Sequence, residues 1–167
     1  YDVVPVYAEF LGDLETPISA VMKFGGEENL FLLESAEAAE RFGRYSFVGF
    51  DPKRTLSYRG GVYTVVDADG AREVAAGDPF RGLAGIVGRK SVAPLPNLPA
   101  FVGGAVGYFS YDAVRYLERL PDAPPDDLGV PEAYFLLTDT LVVFDHLRHK
   151  VLVVSLLDAS GLSDVGG

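Results

Sequence analysis

LFLLESAEAAERFGRYSFVGFDP, residues 30–52, is the stretch from which the fold is read. It opens with an apolar run, Leu30-Phe31-Leu32-Leu33, the pattern of a strand buried on both faces. Ser35 is placed to cap a short helix over residues 36–42, because its hydroxyl can accept an orphan backbone amide. Gly43 suits a left-handed helix stop. Residues 44–50, RYSFVGF, alternate like a second strand, and Asp51-Pro52 closes the segment as a turn. A carboxylate (Glu34), a hydroxyl (Ser35), a helix N-terminus and a guanidinium (Arg44) are thereby brought toward one place.

Such a set has two readings. A free amino acid carries an ammonium that a carboxylate can hold and a carboxylate that an arginine or a helix N-terminus can hold. Glu34 and Arg44 suit those two ends. The same two side chains can instead pair with each other beside a capped helix, as structural ion pairs do.

Working outward, residues 1–10 alternate around Pro5 and predict an edge strand. Residues 13–24 predict a helix, with Thr16 as its cap, Pro17 in its first turn and Ile18, Val21 and Met22 as its apolar stripe. Downstream, residues 54–58, 62–67 and 71–75 predict a meander. Gly60-Gly61 is its two-residue hairpin and residues 68–70 its second turn. Asp78-Pro79 starts a helix over residues 80–89, in which Gly82, Gly85 and Gly88 leave a face free of side chains and are expected to pack closely.

Residues 91–99, with Pro94, Pro96 and Pro99, read as an extended connector. The glycines of residues 103–107 lack the Lys-Ser/Thr of a phosphate loop, so close backbone approach within a sheet is the expectation. Tyr108, Tyr111 and Tyr116 follow beside Asp112, Arg115 and Glu118 on a strand-to-helix transition. Residues 122–127 form an acidic turn. Residues 132–145 and 150–157 predict two long apolar strands, the strongest hairpin in the chain. His146 and His149 in its turn give an H-x-x-H spacing without a third ligand, a weak metal pattern that reads as two turn residues. The fold class is α+β: mainly antiparallel sheet with hairpins and a meander, and a few short packing helices.

The 167 residues suffice for one domain with a real core. A net charge of −10, from 24 acidic and 14 basic residues, argues against nucleic acid or an anionic membrane as partner. No apolar run approaches the ~20 residues that span a bilayer, and no signal-peptide pattern opens the chain, so a cytoplasmic location is expected. The absence of cysteine excludes disulfides and thiolate metal sites. Neither Ser-His-Asp nor Cys-His chemistry can be assembled. Counted with glycine and without tyrosine, apolar residues reach about 55%, above the ~45–50% typical of globular chains. That excess suggests surface meant to be covered, and a chain running from Tyr1 to Gly-Gly reads as a fragment.

Two segments in order carry a resemblance to a known family. LLES with GRYSFVGFDP, and GGAVGYFSYDAVRYLERLP at residues 103–121, resemble signatures of the N-terminal half of anthranilate synthase component I. The resemblance runs over residues 13–157. It implies part of a larger anthranilate-synthase-like α/β sandwich, in which residues 1–160 are the regulatory domain, residues 161–167 begin a linker and a catalytic C-terminal domain is absent. The family converts chorismate and glutamine or ammonia to anthranilate and pyruvate in tryptophan biosynthesis. Carried over to this sequence, the resemblance implies L-tryptophan binding by Glu34, Ser35, Arg44 and Pro17, with no catalytic position and no metal ligand here. Magnesium would belong to the absent half. The implied partners are the chain's own chorismate-binding domain and a glutamine amidotransferase subunit, component II. Two other readings stay open: the corresponding part of aminodeoxychorismate synthase, and a stand-alone small-ligand-binding module.

Overall fold

The structure is a computed structural model that describes residues 1–34, 43–122 and 125–160. The chain divides into two compact units interleaved in sequence. One is built from Tyr1–Pro52, Lys90–Gly104 and Thr138–Gly167, the other from Lys53–Arg89 and Ala105–Leu137. Each holds one five-stranded sheet. The mainly antiparallel α+β class expected from sequence is the class found, with two short α-helices among the described residues.

The first unit contains β1 (Val3–Leu11), α1 (Pro17–Lys23), β2 (Phe31–Leu33), β3 (Tyr45–Gly49), β9 (Thr140–Asp145) and β10 (Lys150–Asp158). The strand order is β1-β10-β9-β3-β2, and every pair is antiparallel. β1 is the edge strand that its alternation predicts. The strand covered on both faces is β9. Val142 and Phe144 join Val48, Val151 and Ala20 of α1 in one cluster, while Leu141 and Val143 join Leu152, Val154 and Val102 in another. This corrects the reading of residues 30–33. β2 forms a sheet edge with β3 as its one partner, and Leu33 is 41% exposed. An apolar run is compatible with either position, and only pairing decides between them.

The helix expected over residues 13–24 is shorter, Pro17–Lys23. Gly12 donates its amide to the carbonyl of His149, which ties residues before Thr16 to the β9–β10 turn. Thr16 then starts the helix through a reciprocal capping box with Ser19, and Pro17 occupies the first turn, where its missing N–H costs nothing.

The second unit contains β4 (Arg54–Arg59), β5 (Val62–Asp67), β6 (Gly70–Ala75), α2 (Pro79–Val87), β7 (Gly104–Phe109) and β8 (Ala133–Thr138), ordered β6-β5-β4-β8-β7. The meander forms as expected, and Gly60 and Gly61 take φ of 56° and 89°, the left-handed pair that a tight hairpin needs. Asp78 caps α2 by accepting from the amides of Phe80 and Arg81. The glycine face of α2 is only partly as expected. A Cβ at Gly82 would meet Ala76 at 2.5 Å and Tyr63 at 2.9 Å, but one at Gly85 would meet nothing within 4 Å, and Gly88 ends the helix.

The single strand expected over residues 132–145 is two strands. β8 pairs with β4 and β9 with β3 and β10, so the run is divided at Asp139 between the two sheets.

Beneath α2, the buried Tyr63 hydroxyl donates to the Pro79 carbonyl at 2.8 Å. Burial, then the neighbouring Tyr58 and Asp78, push the Tyr63 phenol up to about 12. A raised pKa gives stability that is complete below the unfolded tyrosine value of about 10 and is lost as pH rises through 12. Tyr63→Phe is expected to cost about 1–2 kcal/mol at neutral pH and to flatten the alkaline loss of stability. Urea unfolding at a series of pH values checks both, and an unchanged alkaline limb would refute the assignment.

Candidate functional site

The end of the first sheet where β2 leaves and β3 enters gathers the polar groups. Leu33 pairs with Phe47, so Glu34 lies one residue past the last β2–β3 pair, and Arg44 lies one residue before β3 begins. Both therefore stand at the same end of the two strands, and Glu34 is exposed. Ser35 and the helix expected over residues 36–42 lie outside the described residues.

Arg44 is held by a group that sequence reasoning missed. Its Nε donates to Asp145 Oδ1 at 3.0 Å and its Nη2 to Oδ2 at 2.6 Å, a two-pronged contact that leaves Nη1 outside the pair. The guanidinium carbon lies 4.7 Å from the centre of the Tyr45 ring. The pairing alternative, in which Glu34 and Arg44 bridge each other, is thus not the arrangement found: the partner is Asp145. Asp145 ends the apolar run LVVFD and is only 3% exposed. A charge at the end of a buried strand must be compensated, and that was the available signal.

Asp145 also accepts from the amides of Leu147 and Arg148, so one carboxylate closes the β9–β10 turn and orients Arg44. Burial pushes the Asp145 carboxyl up, but the Arg44 bond and the Arg148 and Leu147 amides outweigh it and hold the group below the usual carboxylate range. Beside the pair, Ser46 Oγ and His146 Nε2 lie 2.7 Å apart, and the His146 amide donates to the Arg44 carbonyl. Ser46 is buried. His146 and His149 are turn residues, as read, and among the described residues no group of three or more His, Asp or Glu is placed to hold a metal ion.

The remaining candidate, Pro17, lies in the helix that covers one face of the sheet. Asp145 stands opposite Tyr45 in register. By strand alternation it shares the face of Leu141 and Val143, away from α1. Pro17 is buried in α1, which covers the face of Val48, Val142 and Phe144. The structure therefore brings the positions of Glu34 and Arg44 to one sheet end and places Pro17 in α1, on the face of Val48 and Val142.

The second sequence signature is a brace. Gly107 of β7 runs so close to β8 that a Cβ there would stand 2.0 Å from the Tyr134 carbonyl oxygen. Residues Tyr111–Tyr116 form a 3₁₀ segment, where the Tyr116 hydroxyl donates to Glu132 at 2.7 Å and its ring meets Tyr58 edge-on. This is the strand-to-helix transition expected; Tyr116 packs at the rim of the core, whereas Tyr111 is 89% exposed.

Comparison with known proteins agrees with that pair of signatures. No family model matches the chain. The anthranilate synthase component 1 of Acetivibrio thermocellus is 40% identical over 161 residues, 96% of this chain and 33% of that protein. The Thermus thermophilus protein of the same name is 44% identical over 155 residues, 90% of this chain and 32% of that protein. The crystal structure of anthranilate synthase component I from Streptococcus pneumoniae matches 93% of this chain and 33% of its own, with a TM-score of 0.59 and 28% identity. The chain spans about a third of the length of the curated relatives it matches. Over nearly its whole length, then, the chain is similar to about a third of anthranilate synthase component 1.

Proposed function

We propose that this chain is the N-terminal, feedback-regulatory part of an anthranilate synthase component I. The observation that carries the reading is the 40% identity maintained over 96% of the chain. The whole protein would convert chorismate and glutamine or ammonia to anthranilate and pyruvate. Its magnesium, general acid and general base would reside in the other two thirds, and component II would deliver the ammonia. Among the described residues no helix is long and apolar enough to cross a membrane. We place the enzyme in the cytoplasm, with its substrates.

In this reading L-tryptophan binds at the end of the first sheet. Glu34 takes the ammonium, and the Arg44 Nη1 takes the carboxylate, because Nε and Nη2 are committed to Asp145. Asp145 thereby fixes the guanidinium before the ligand arrives, which lowers the ordering cost of binding. Ser35 supports the carboxylate from the adjoining segment, and Pro17 shapes the support from α1. Tryptophan favours one arrangement of the whole enzyme over another and shifts the population away from the active one.

The test is titration of the intact parent enzyme with tryptophan while anthranilate formation is followed. A charged hydrogen bond contributes on the order of 1.5–3 kcal/mol, so Glu34→Ala is expected to raise the inhibitory concentration ~10–100-fold with turnover retained. Inhibition unchanged in Glu34→Ala removes the site. A product of 4-amino-4-deoxychorismate would instead assign the chain to aminodeoxychorismate synthase.

A further inference from the structure

The second unit carries a groove that feedback regulation does not use. It lies between α2 and the facing side of β4, β5 and β6, with a volume of about 510 Å³. Three arginines line it, Arg54, Arg72 and Arg81, and no carboxylate does. In a chain of net charge −10 such a grouping is contrary to the overall field.

Strand alternation explains how the arginines arrive there. Arg54 shares the α2-facing side of β4 with the buried Leu56 and Tyr58, and is itself half-buried. Arg72 stands opposite Val65 in register on β6. Arg81 extends from the first turn of α2. Arg72 is paired with Asp67, and Arg81 approaches Asp78 at 3.8 Å. Arg54 forms no ion pair among the described residues; its influence on Asp67 is weaker than that of Arg72.

The opening itself follows from two glycines a turn apart. Gly82 holds α2 against Tyr63 and Ala76, whereas the space beyond Gly85 is empty to 4 Å. What remains is a slot lined by the partly exposed Val74 and Ile86, with the half-buried Arg54 at its end. Partly desolvating an unpaired charge is unfavourable, and a carboxylate gripped by two parallel N–H bonds is the complement that offsets it.

We propose that this groove binds a small organic carboxylate with an apolar body, its carboxylate on Arg54 and its body against Val74 and Ile86. Arg72 and Arg81 add attraction from the rim. The site is independent of the tryptophan reading, since none of its residues belongs to the first unit.

Benzoate titrated into the intact protein, followed by calorimetry and by amide NMR shifts, tests the assignment. Saturable binding is expected, with shifts at Val65 and Gly85. Its Kd should rise at least tenfold in Arg54→Gln, which removes the cation, and in Gly85→Leu, which fills the empty space. Inorganic phosphate, a charge without an apolar body, should bind at least tenfold more weakly than benzoate. Absence of saturable benzoate binding would overturn the proposal. So would undiminished binding by folded Arg54→Gln and Gly85→Leu, or phosphate binding as tight as that of benzoate.

Discussion

Replacing Asp145 with alanine is expected to destabilise the chain by about 3 kcal/mol, the cost of removing a buried carboxylate that accepts from a partly exposed guanidinium and two amides. The carboxylate is 3% exposed and serves three donors at once: Arg44 and the amides of Leu147 and Arg148. Its loss strands the guanidinium and unties the β9–β10 turn together. Asp145→Asn should cost less, because an amide oxygen still accepts from the turn. The two variants also differ from the parent in acid. A carboxyl whose folded pKa is depressed contributes stability that is present above the unfolded value of about 3.9 and disappears as pH falls through the folded value. Asp145→Asn should therefore flatten the loss of stability below about pH 4. Urea unfolding from pH 7 down to pH 3 measures both effects. A variant within about 0.5 kcal/mol of the parent at neutral pH would show that the pair contributes nothing.

The second large effect is expected at Gly107. A methyl group there would stand 2.0 Å from the Tyr134 carbonyl oxygen and 2.7 Å from the Phe135 Cα. These are backbone atoms of β8, a strand also bonded to β4, so they cannot swing aside as a side-chain tip would. Gly107→Ala is expected to cost about 3 kcal/mol or more, at or beyond the upper end of overpacking, by forcing β7 away from β8. Gly85→Ala is the matched control. Its added methyl meets open space, and helix propensity alone should make it neutral or stabilising by up to about 1 kcal/mol. Equal melting temperatures for Gly107→Ala and the parent would contradict the close approach.

Features decided by neighbours in sequence were legible before the structure. Thr16-Pro17 and Asp78-Pro79 start helices because a cap and a fixed φ act within four residues. Gly60-Gly61 makes a hairpin because the turn needs two left-handed residues. What depends on a distant partner was not legible. The apolar run of residues 30–33 looks the same at a sheet edge as in a sheet centre, and β2 took the edge. The run over residues 132–145 is apolar throughout, so nothing local reveals that its halves belong to different sheets. In the candidate site, the charges at Glu34 and Arg44 were visible, but the acid that holds Arg44 lies 101 residues further along. Only the Tyr45–Asp145 register brings it there.

The outermost strand of the first sheet has a consequence for biosynthesis. β1 has β10 as its strand partner along its length, with Val3 opposite Asp158 and Leu11 opposite Lys150, and bonds residues 91–93 only at Val3. At ~5–20 residues per second, the ribosome adds that neighbour on the order of ten seconds or more after β1 has emerged. Throughout that interval a nine-residue strand bearing Val4, Val6, Tyr7 and Phe10 has nothing to zip against. Nascent chains of this protein are thus exposed to mispairing at β1, and binding of a holdase chaperone there would shield them until β10 is made.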